Sequence, residues 1–477
     1  MIGMRWAIRC AGLISTVVLA RLLTPEDFGI VAMSSLVYGL LLICSEMGTA
    51  QLLLRTRETD RTAYDTAWTI GLIQAAVLAV VLFLMAYPAS VYFSEPRLVA
   101  VIQVVAAGSL LNGLTNIGTV MFRRDLDFRR DFMFGFYSKV VTVIPTIILA
   151  LVYRSYWSLI AGQIIGHALE ILISYAMHPF RPRFRLHHWR RFVTFSLWIT
   201  PSNIANFLSR KADVFIVGHV ADTSQLGIYS VAAELSRMAT AEIVIPMSRA
   251  LYPNFAKLKN NLADLSAAFL IVLRTVCIIS FSFGFGIAAV ADDLVRVVLG
   301  EQWAFAAPLM VWLGIFGAFA AILSTITGHI LVVLERERAM FLINWTKLAI
   351  FLASVLAAAQ SNSTMNIAIA ATLSTAVVTV GCIFYLPRAL PVSAPRILLE
   401  MFPIFLASVA MFLVVRLFHL DTLHIPFITL SIDALVGAAV FVSILAICWV
   451  AAGQPDGLER RAIQLLSRQV QRVTSRR

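Results

Sequence analysis

The chain reads as an all-α membrane protein of about fourteen transmembrane helices, and three observations carry that reading. Sixty per cent of its 477 residues are apolar, only 13% are charged, and the mean hydropathy is +0.86. Soluble domains sit nearer ~45–50% apolar and ~25% charged. Apolar runs of the ~20 residues that a helix needs to cross a ~30 Å hydrocarbon core recur along the whole length. The connections between those runs alternate between Lys/Arg-rich and Lys/Arg-poor, as the positive-inside rule demands.

Each span is delimited by its flanking residues. Spans 1 and 2, at 5–22 and 28–46, are separated by the polar hairpin Thr24-Pro25-Glu26-Asp27. Span 3, 67–86, follows Arg55, Arg57 and Arg61. Span 4, 98–121, runs from Arg97 to the cluster Arg123, Arg124, Arg129 and Arg130. Span 5, 132–152, stops before Arg154, and span 6, 157–177, before the basic stretch Arg181 to Arg191. Spans 7 and 8, 194–219 and 226–251, flank Asp222 and are the most polar. Span 9, 265–290, lies between Lys257, Lys259 and the acidic Asp292-Asp293. Span 10, 304–333, runs from Glu301 to Arg336 and Arg338. Spans 11 to 14 follow at 339–359, 366–386, 398–418 and 425–451.

Twenty-six cations fall on one side of this scheme and four on the other, where Glu26, Asp27, Asp222, Asp292, Asp293 and Glu301 gather. That split places both termini in the cytoplasm. The net charge of +12 is thereby accounted for by loops beside anionic lipid headgroups, with no nucleic-acid partner implied. The residues from Gly457 to Arg477 suit a basic interfacial helix. The five cysteines lie in apolar runs without C-x-x-C spacing, so neither a disulfide framework nor a zinc site is written in them. The first run has no small-residue cleavage site and is expected to be a retained helix.

A hairpin recurs. Leu23-Thr24-Pro25-Glu26-Asp27-Phe28-Gly29-Ile30 is echoed 198 positions on by Ala221-Asp222-Thr223-Ser224-Gln225-Leu226-Gly227-Ile228. An echo of this kind points to duplicated halves, the architecture of secondary transporters, whose site lies between the repeats.

Eight cations remain inside spans: Lys139, Arg210, Lys211, Arg237, Arg249, Arg274, Lys347 and Arg416. Lys139, Arg249 and Arg416 are close enough to span ends to snorkel. Each of the other five costs at least ~2.5 kcal/mol at mid-span if it faces lipid. They are therefore expected to face protein, counter-ions or a wet cavity. On span 7, Asn203, Asn206, Arg210 and Asp213 fall within an arc of about 80°, and Ser230, Glu234, Arg237 and Thr240 make a second stripe on span 8. Arg210 with Asp213, and Glu234 with Arg237, are spaced i, i+3, so each pair could be a structural neutralisation within its helix. The other reading is a locally cationic interior around Arg210 and Lys211, suited to phosphate or pyrophosphate. Arg5, Arg9, Gly12 and Thr16 share a face of span 1, where the arginines fit either a cavity or cytoplasmic headgroups.

The string Leu19-Ala20-Arg21-Leu22-Leu23-Thr24-Pro25-Glu26-Asp27-Phe28-Gly29, after a helix containing Trp6, resembles the opening of polysaccharide flippases of the multidrug/oligosaccharidyl-lipid/polysaccharide (MOP) exporter superfamily. Met121-Phe122-Arg123-Arg124-Asp125-Leu126-Asp127-Phe128, Lys211-Ala212-Asp213 and Leu226-Gly227-Ile228-Tyr229 extend the resemblance, which is to the colanic-acid-type exopolysaccharide exporters and covers residues from about 6 to about 390. The chain departs from the family pattern in having almost nothing before Trp6.

The resemblance implies two six-helix lobes in a V with two added C-terminal helices. The boundaries expected are 1–178 for the first lobe, 179–193 for a basic cytoplasmic linker, 194–390 for the second lobe, 391–452 for the added helices and 453–477 for the tail. It implies a flippase, not an enzyme, working without cofactor or metal in a bacterial inner membrane. The substrate implied is an oligosaccharide repeat unit on undecaprenyl pyrophosphate, for exopolysaccharide or lipopolysaccharide synthesis, with glycosyltransferases and a polymerase as functional partners. Arg210, Lys211 and Arg237, with Asn203, Asn206, Arg5 and Arg9, are the positions expected to hold substrate. Asp213, Glu234 and Glu46 are the candidates for coupling an ion.

Other functions are weaker. Asp125-Leu126-Asp127 spells the D-x-D of a glycosyltransferase, but it lies in a connection of about ten residues, where capping and balancing the neighbouring arginines is the expected role. No nucleotide-binding, zinc-protease or nucleophile-elbow string occurs. A membrane polysaccharide polymerase or ligase would carry a longer outer loop than Ala291 to Trp303. A cation-coupled multidrug exporter of the same superfamily would place a carboxylate in span 1, which has none.

Overall fold

The computed structural model describes residues 2–46, 48–49, 52–53, 60–187, 189–258, 260–326, 330–418 and 426–451. The side chains of Arg5, Arg9 and Asn206, and the whole tail from 453, lie outside the described residues. No strand occurs among the described residues. Their long helices are α1 (Ile2–Leu22), α2 (Pro25–Ser45), α3 (Arg61–Tyr92), α4 (Leu98–Gly113), α5 (Phe128–Tyr153), α6 (Trp157–Met177) and α7 (Trp189–Val220), then α8 (Thr223–Leu258), α9 (Leu262–Ala289), α10 (Ala306–Thr325), α11 (Glu337–Ala359), α12 (Thr364–Tyr385), α13 (Ala394–Leu417) and α14 (Pro426–Ala451).

Ten of these helices are long and apolar enough to cross a membrane, and eleven spans result if α4 is joined to the short helix after it. Helices α1, α7 and α8 fall short of that test, the last two because of the polar stripes seen in the sequence. One expected span is revised. Span 4 is not a straight helix over 98–121; it breaks after Gly113 and bends by 62° into the segment Ile117–Arg124. Asn116 holds the break. It is fully buried, its N–H donates to Ser174 Oγ (3.1 Å), and its side-chain amide donates to the carbonyls of His178 (3.2 Å) and Phe180 (2.9 Å). An unsatisfied buried amide would cost ~1–3 kcal/mol, so these three bonds fix where the bend falls.

The described chain gathers into two compact units, Met1–Ser230 and Val231–Arg477. In the first, α5 packs on α6, α3 on α4, α1 on α5, and α2 on α7. Gly162-x-x-x-Gly166 of α6 lies directly on Thr142 and Thr146 of α5, where any Cβ would overlap the threonine side chains. Small residues four apart let membrane helices approach closely when no hydrophobic force separates protein from lipid.

The basic connection after α6 is fastened to α3. The carboxylate of Asp65, fully buried, accepts from Arg183 N–H (2.9 Å); Thr69 Oγ1 accepts from Arg185 N–H (3.0 Å); and the Arg61 guanidinium donates to Arg181 O (3.3 Å). Phe180 and Phe184 pack against Tyr64 and Trp68.

The second unit holds the rest of α8 and α9 to α14. Its centre is an aromatic cluster in which Phe281 meets Phe319 and Phe405 edge-on, with centroids 5.4 and 5.6 Å apart. The intramembrane Arg274 donates to Glu400 of α13 (2.7 Å), so this cation faces a counter-ion as expected. Arg416 does not simply snorkel: it pairs with Asp292 and donates to Ala288 O (3.2 Å). The connection after α9 ends on Trp303, which is fully buried.

Candidate functional site

The two hairpins that echo one another in sequence touch one another in space. In the first unit, the N-terminal turn of α2 and that of α8 cross at Gly29 and Gly227. A Cβ on Gly29 would overlap the Thr223 carbonyl, and a Cβ on Gly227 would overlap the Pro25 carbonyl, with Gly29 N and Pro25 C both at 2.9 Å. Glycine is required at both positions by close backbone approach. The first hairpin is built locally by a capping box: Thr24 Oγ1 accepts from Asp27 N–H (3.3 Å) and Asp27 Oδ2 accepts from Thr24 N–H (2.9 Å). The other carboxylate oxygen of Asp27 accepts from Tyr156 N–H (2.8 Å), tying the hairpin to α6.

The connection between α3 and α4 latches this crossing. Glu95, 7% exposed, accepts from Arg97 Nε (2.8 Å) and Nη2 (2.7 Å) and from Thr223 Oγ1 (3.0 Å). Arg97 also reaches Glu26 Oε1 at 2.5 Å. One buried carboxylate therefore joins the second hairpin, through Thr223, to an arginine that grips the first. The Arg97 guanidinium holds the Glu95 carboxyl below its ordinary range, against a smaller upward push from burial. Beside it the His219 ring stacks on Tyr92 (4.7 Å) and its Nδ1 lies 2.9 Å from Tyr92 O. Phe93 packs on Gly218 and faces Phe215 at 6.4 Å.

Below the latch, α7 carries the predicted polar stripe. Arg210 is exposed, Asn203 and Lys211 are half-buried, and Asp213 is 1% exposed. The sequence offered Arg210 as the partner of Asp213 at i, i+3. Instead Asp213 Oδ2 accepts from the Tyr229 hydroxyl (3.1 Å), and no Arg210–Asp213 ion pair occurs among the described residues. Asp213 Oδ1 is buried without a hydrogen-bond partner among them. In the second unit Glu234 is exposed and Arg237 half-buried. Arg237 Nε donates to Ala233 O (3.1 Å) of its own helix, and no Glu234–Arg237 ion pair is found among the described residues. The reason is geometric in both cases: i, i+3 spacing permits contact, but the rotamer is chosen by whatever else the helix packs against.

Glu46 is exposed at the C-terminal end of α2, where it lines a cavity of about 250 Å³ with Gln74, Asn112, Asn116 and Trp68. Its carbonyl accepts from Thr200 Oγ1 of α7 (3.1 Å).

Lys139 is placed beside α1, its ammonium 3.7 Å from where a Cβ on Gly12 would sit. Two residues of consequence, Glu95 and Asp65, escape the sequence reading. Glu95 gave no signal, being an ordinary loop acid until Thr223, distant in sequence, is brought to it. Asp65 lay just before the expected start of span 3, but α3 begins at Arg61, which puts it inside. The D-x-D pair resolves as expected: Asp125 pairs with Arg124 (2.7 Å), and Asp127 caps α5 by accepting from Arg130 N–H (3.1 Å). No group of metal ligands occurs among the described residues.

An all-helical membrane chain with two echoed helical hairpins meeting at one end has the fold of a transporter. The lipid II flippase MurJ, in an inward closed conformation, superposes with a TM-score of 0.77 over 95% of this chain and 100% of that one, at 14% identity. An inward-facing multidrug transporter of the MATE family in the MOP superfamily gives 0.62 over 80% and 94%, also at 14% identity. At those identities the likeness is one of fold.

The sequence narrows the class. Residues 18–308 match the polysaccharide biosynthesis protein family, more than half of the chain, and the chain belongs to that family. It is 26% identical to a succinoglycan biosynthesis transport protein of Rhizobium meliloti over 61% of this chain and 60% of that one. It is 22% identical to a lipopolysaccharide biosynthesis protein of Escherichia coli over 73% and 72%, and 22% identical to a teichuronic acid biosynthesis protein of Bacillus subtilis over 68% of each. The match thus spans less than two thirds of the succinoglycan transport protein.

Proposed function

We propose that this chain is a flippase that moves an oligosaccharide repeat unit, carried on undecaprenyl pyrophosphate, from the cytoplasmic to the outer leaflet of a bacterial inner membrane by alternating access. The observation that carries the reading is the joint one: membership of a polysaccharide biosynthesis family, on a transporter fold, with the outer ends of the echoed hairpins interlocked. A conformation closed at that end is the one in which a substrate would be loaded from the other side. Both termini lie in the cytoplasm, and all fourteen helices cross, grouped as lobes of spans 1–6 and 7–12 with two added spans.

Arg210, Lys211 and Arg237, with Asn203 and Asn206, hold the pyrophosphate, and Arg5 and Arg9 of α1, joined by Lys139, complete a cationic lining. The exposure of Arg210 supports a ligand role. Asp213, with one carboxylate oxygen lacking a hydrogen-bond partner, is the first candidate for ion coupling, ahead of Glu234 and Glu46. Glycosyltransferases build the substrate and a polymerase consumes it.

The experiment is analysis of lipid-linked saccharides in a strain lacking the gene. Repeat units accumulate on the cytoplasmic side and surface polymer is lost; normal polymer in a strain without a second flippase rejects the function. Arg210→Gln leaves the protein folded and lowers polymer output, and the swap Arg210→Asp with Asp213→Arg does not restore it. Restoration by the swap would return Arg210 to a structural role. A multidrug exporter would instead leave polymer intact and change susceptibility to cationic drugs.

A further inference from the structure

The connection between α6 and α7 sets Arg181, Arg183 and Arg185 on alternate residues, all exposed, with the exposed Phe184, Leu186 and Trp189 among and after them. No acidic residue lies between Glu170 and Asp213, so any offsetting charge must come from another element. On α3, to which the connection is fastened, Arg61 adds a cation, and the acids are Asp65, fully buried, and Asp60, the cap. Arg124, beside Tyr64, is paired with Asp125. Arg61, Arg181, Arg183 and Arg185 thus stand against Asp60 and Asp65. The backbone is pinned as well. Arg183 N–H donates to Asp65 Oδ1 (2.9 Å) and Arg185 N–H to Thr69 Oγ1 (3.0 Å), acceptors one turn apart on α3. N–H groups two residues apart point the same way where a chain is extended, and side chains two apart then share a side. Arg183 and Arg185 therefore stand together, their Cα atoms about 6.6 Å apart. Arg181 is engaged, donating to the carbonyls of His178 (2.9 Å), Phe180 (3.0 Å) and Tyr175 (3.2 Å). Among the described residues, neither the Arg183 nor the Arg185 side chain has a hydrogen bond or ion pair.

We infer that Arg183 and Arg185 form a built site for the phosphate of an anionic glycerophospholipid, in the leaflet on the arginine-rich side of the membrane. Two guanidinium forks held side by side grip the phosphodiester. The surroundings choose a lipid surface over an acidic protein. The connection follows directly on α6, which ends at Met177, and the exposed Phe184, Leu186 and Trp189 suit the level where headgroups meet acyl chains. This goes beyond the diffuse attraction of basic loops for anionic lipids, because the register of the two arginines is set by Asp65 and Thr69. It does not depend on which substrate the protein moves.

The test is native mass spectrometry of the full chain released from detergent, titrated with phosphatidylglycerol or phosphatidylcholine of the same acyl chains. Phosphatidylglycerol is expected to bind about tenfold more tightly. The double variant Arg183→Gln, Arg185→Gln loses that preference, whereas Arg129→Gln, an exposed arginine flanked by Asp127 and Asp131, keeps it. Asp65→Ala separates a built site from diffuse charge. It removes an anion beside the arginines, so diffuse attraction would strengthen phosphatidylglycerol binding, while a site that needs its pinned backbone weakens it. Thr69→Val, which removes the acceptor of Arg185 N–H without changing charge, weakens binding by less, and decides the point if Asp65→Ala does not fold. A melting temperature within a few degrees of the wild type shows that a variant is folded. Equal affinity for the two lipids, a preference that survives the double variant, tighter binding in Asp65→Ala, or unchanged binding in Thr69→Val overturns the inference. Displacement of the lipid by equimolar glycerol 3-phosphate, or tighter binding of a polyprenyl phosphate, overturns the choice of occupant.

Discussion

Replacing Gly227 by alanine is expected to force the outer end open. The added Cβ would overlap the Pro25 carbonyl and stand 2.9 Å from both Pro25 C and Gly29 N. Restoring ordinary contact at ~3.5–4.0 Å with the Pro25 carbonyl oxygen, which would lie 1.9 Å away, requires α2 and α8 to part by roughly 1.5–2 Å. Overpacking of this kind costs ~1–3 kcal/mol. The same movement stretches the Thr223–Glu95 bond from 3.0 Å beyond hydrogen-bonding range, and a bond to a carboxylate is worth ~1.5–3 kcal/mol. Together the closed state loses ~3–6 kcal/mol relative to an open one in which the helices are apart. About 5.5 kcal/mol suffices to move a two-state equilibrium from 1:99 to 99:1. The assay is double electron–electron resonance between spin labels at Arg21 and Gln225, both exposed, with the five native cysteines replaced. Wild-type protein should give a short distance, and Gly227→Ala a dominant longer one. Gly381→Ala, where a Cβ has open space, should leave the distance unchanged. If Gly227→Ala folds and keeps the short distance, the hairpin crossing is not the closure. Thr223→Val, which removes one bond and adds no bulk, should shift the population in the same direction by a smaller amount.

Three further outcomes follow from the geometry. Because Arg97 depresses the pKa of Glu95, closure gains stability that is present above an ordinary carboxylate value of ~4.3 and lost as pH falls through the lowered folded value; the spin-pair distance should hold from pH 8 to 5 and lengthen in stronger acid, and Glu95→Gln should abolish that response. Arg274→Met strands Glu400 and should cost about 3 kcal/mol, the low end for a buried pair because the partners are 16% and 31% exposed; adding Glu400→Leu should recover most of the loss in a thermal melt. Asp65→Ala leaves the Arg183 N–H without its acceptor, at ~1–3 kcal/mol, so trypsin should cut after Arg181, Arg183 or Arg185 about 5- to 150-fold faster, and an unchanged rate would show that the connection is held elsewhere.

Much of the architecture was legible because hydropathy and charge act over whole segments. The long helices sit where the apolar runs lie, and the arginine-rich connections fall between them. Boundaries were less legible: α3 starts at Arg61 because Asp60 caps it, its side chain accepting from Thr62 N–H (3.1 Å), and a polar cap before an apolar run carries no hydropathy signal. The break in α4 was hidden for the opposite reason. Residues 98–121 are apolar enough to read as one span, and only Ser174, His178 and Phe180, far along the chain, make Asn116 a fixed point. The α7 stripe was visible from periodicity, but its pairing was not, since Tyr229 competes for Asp213 from another helix.

The amino-acid sequence by itself determined the class of this protein, its helices, its family and the existence of a repeated hairpin, because each follows from local composition and spacing. That the two copies of the hairpin interlock was decided only by the tertiary structure. Gly29 and Gly227 are unremarkable in sequence, and their meaning comes from carbonyl oxygens of the opposite copy lying where a side chain would be. The same holds for Glu95: a carboxylate becomes a latch only when Arg97 and Thr223, one beside it and one 128 residues away, converge on it while the carboxylate itself is buried.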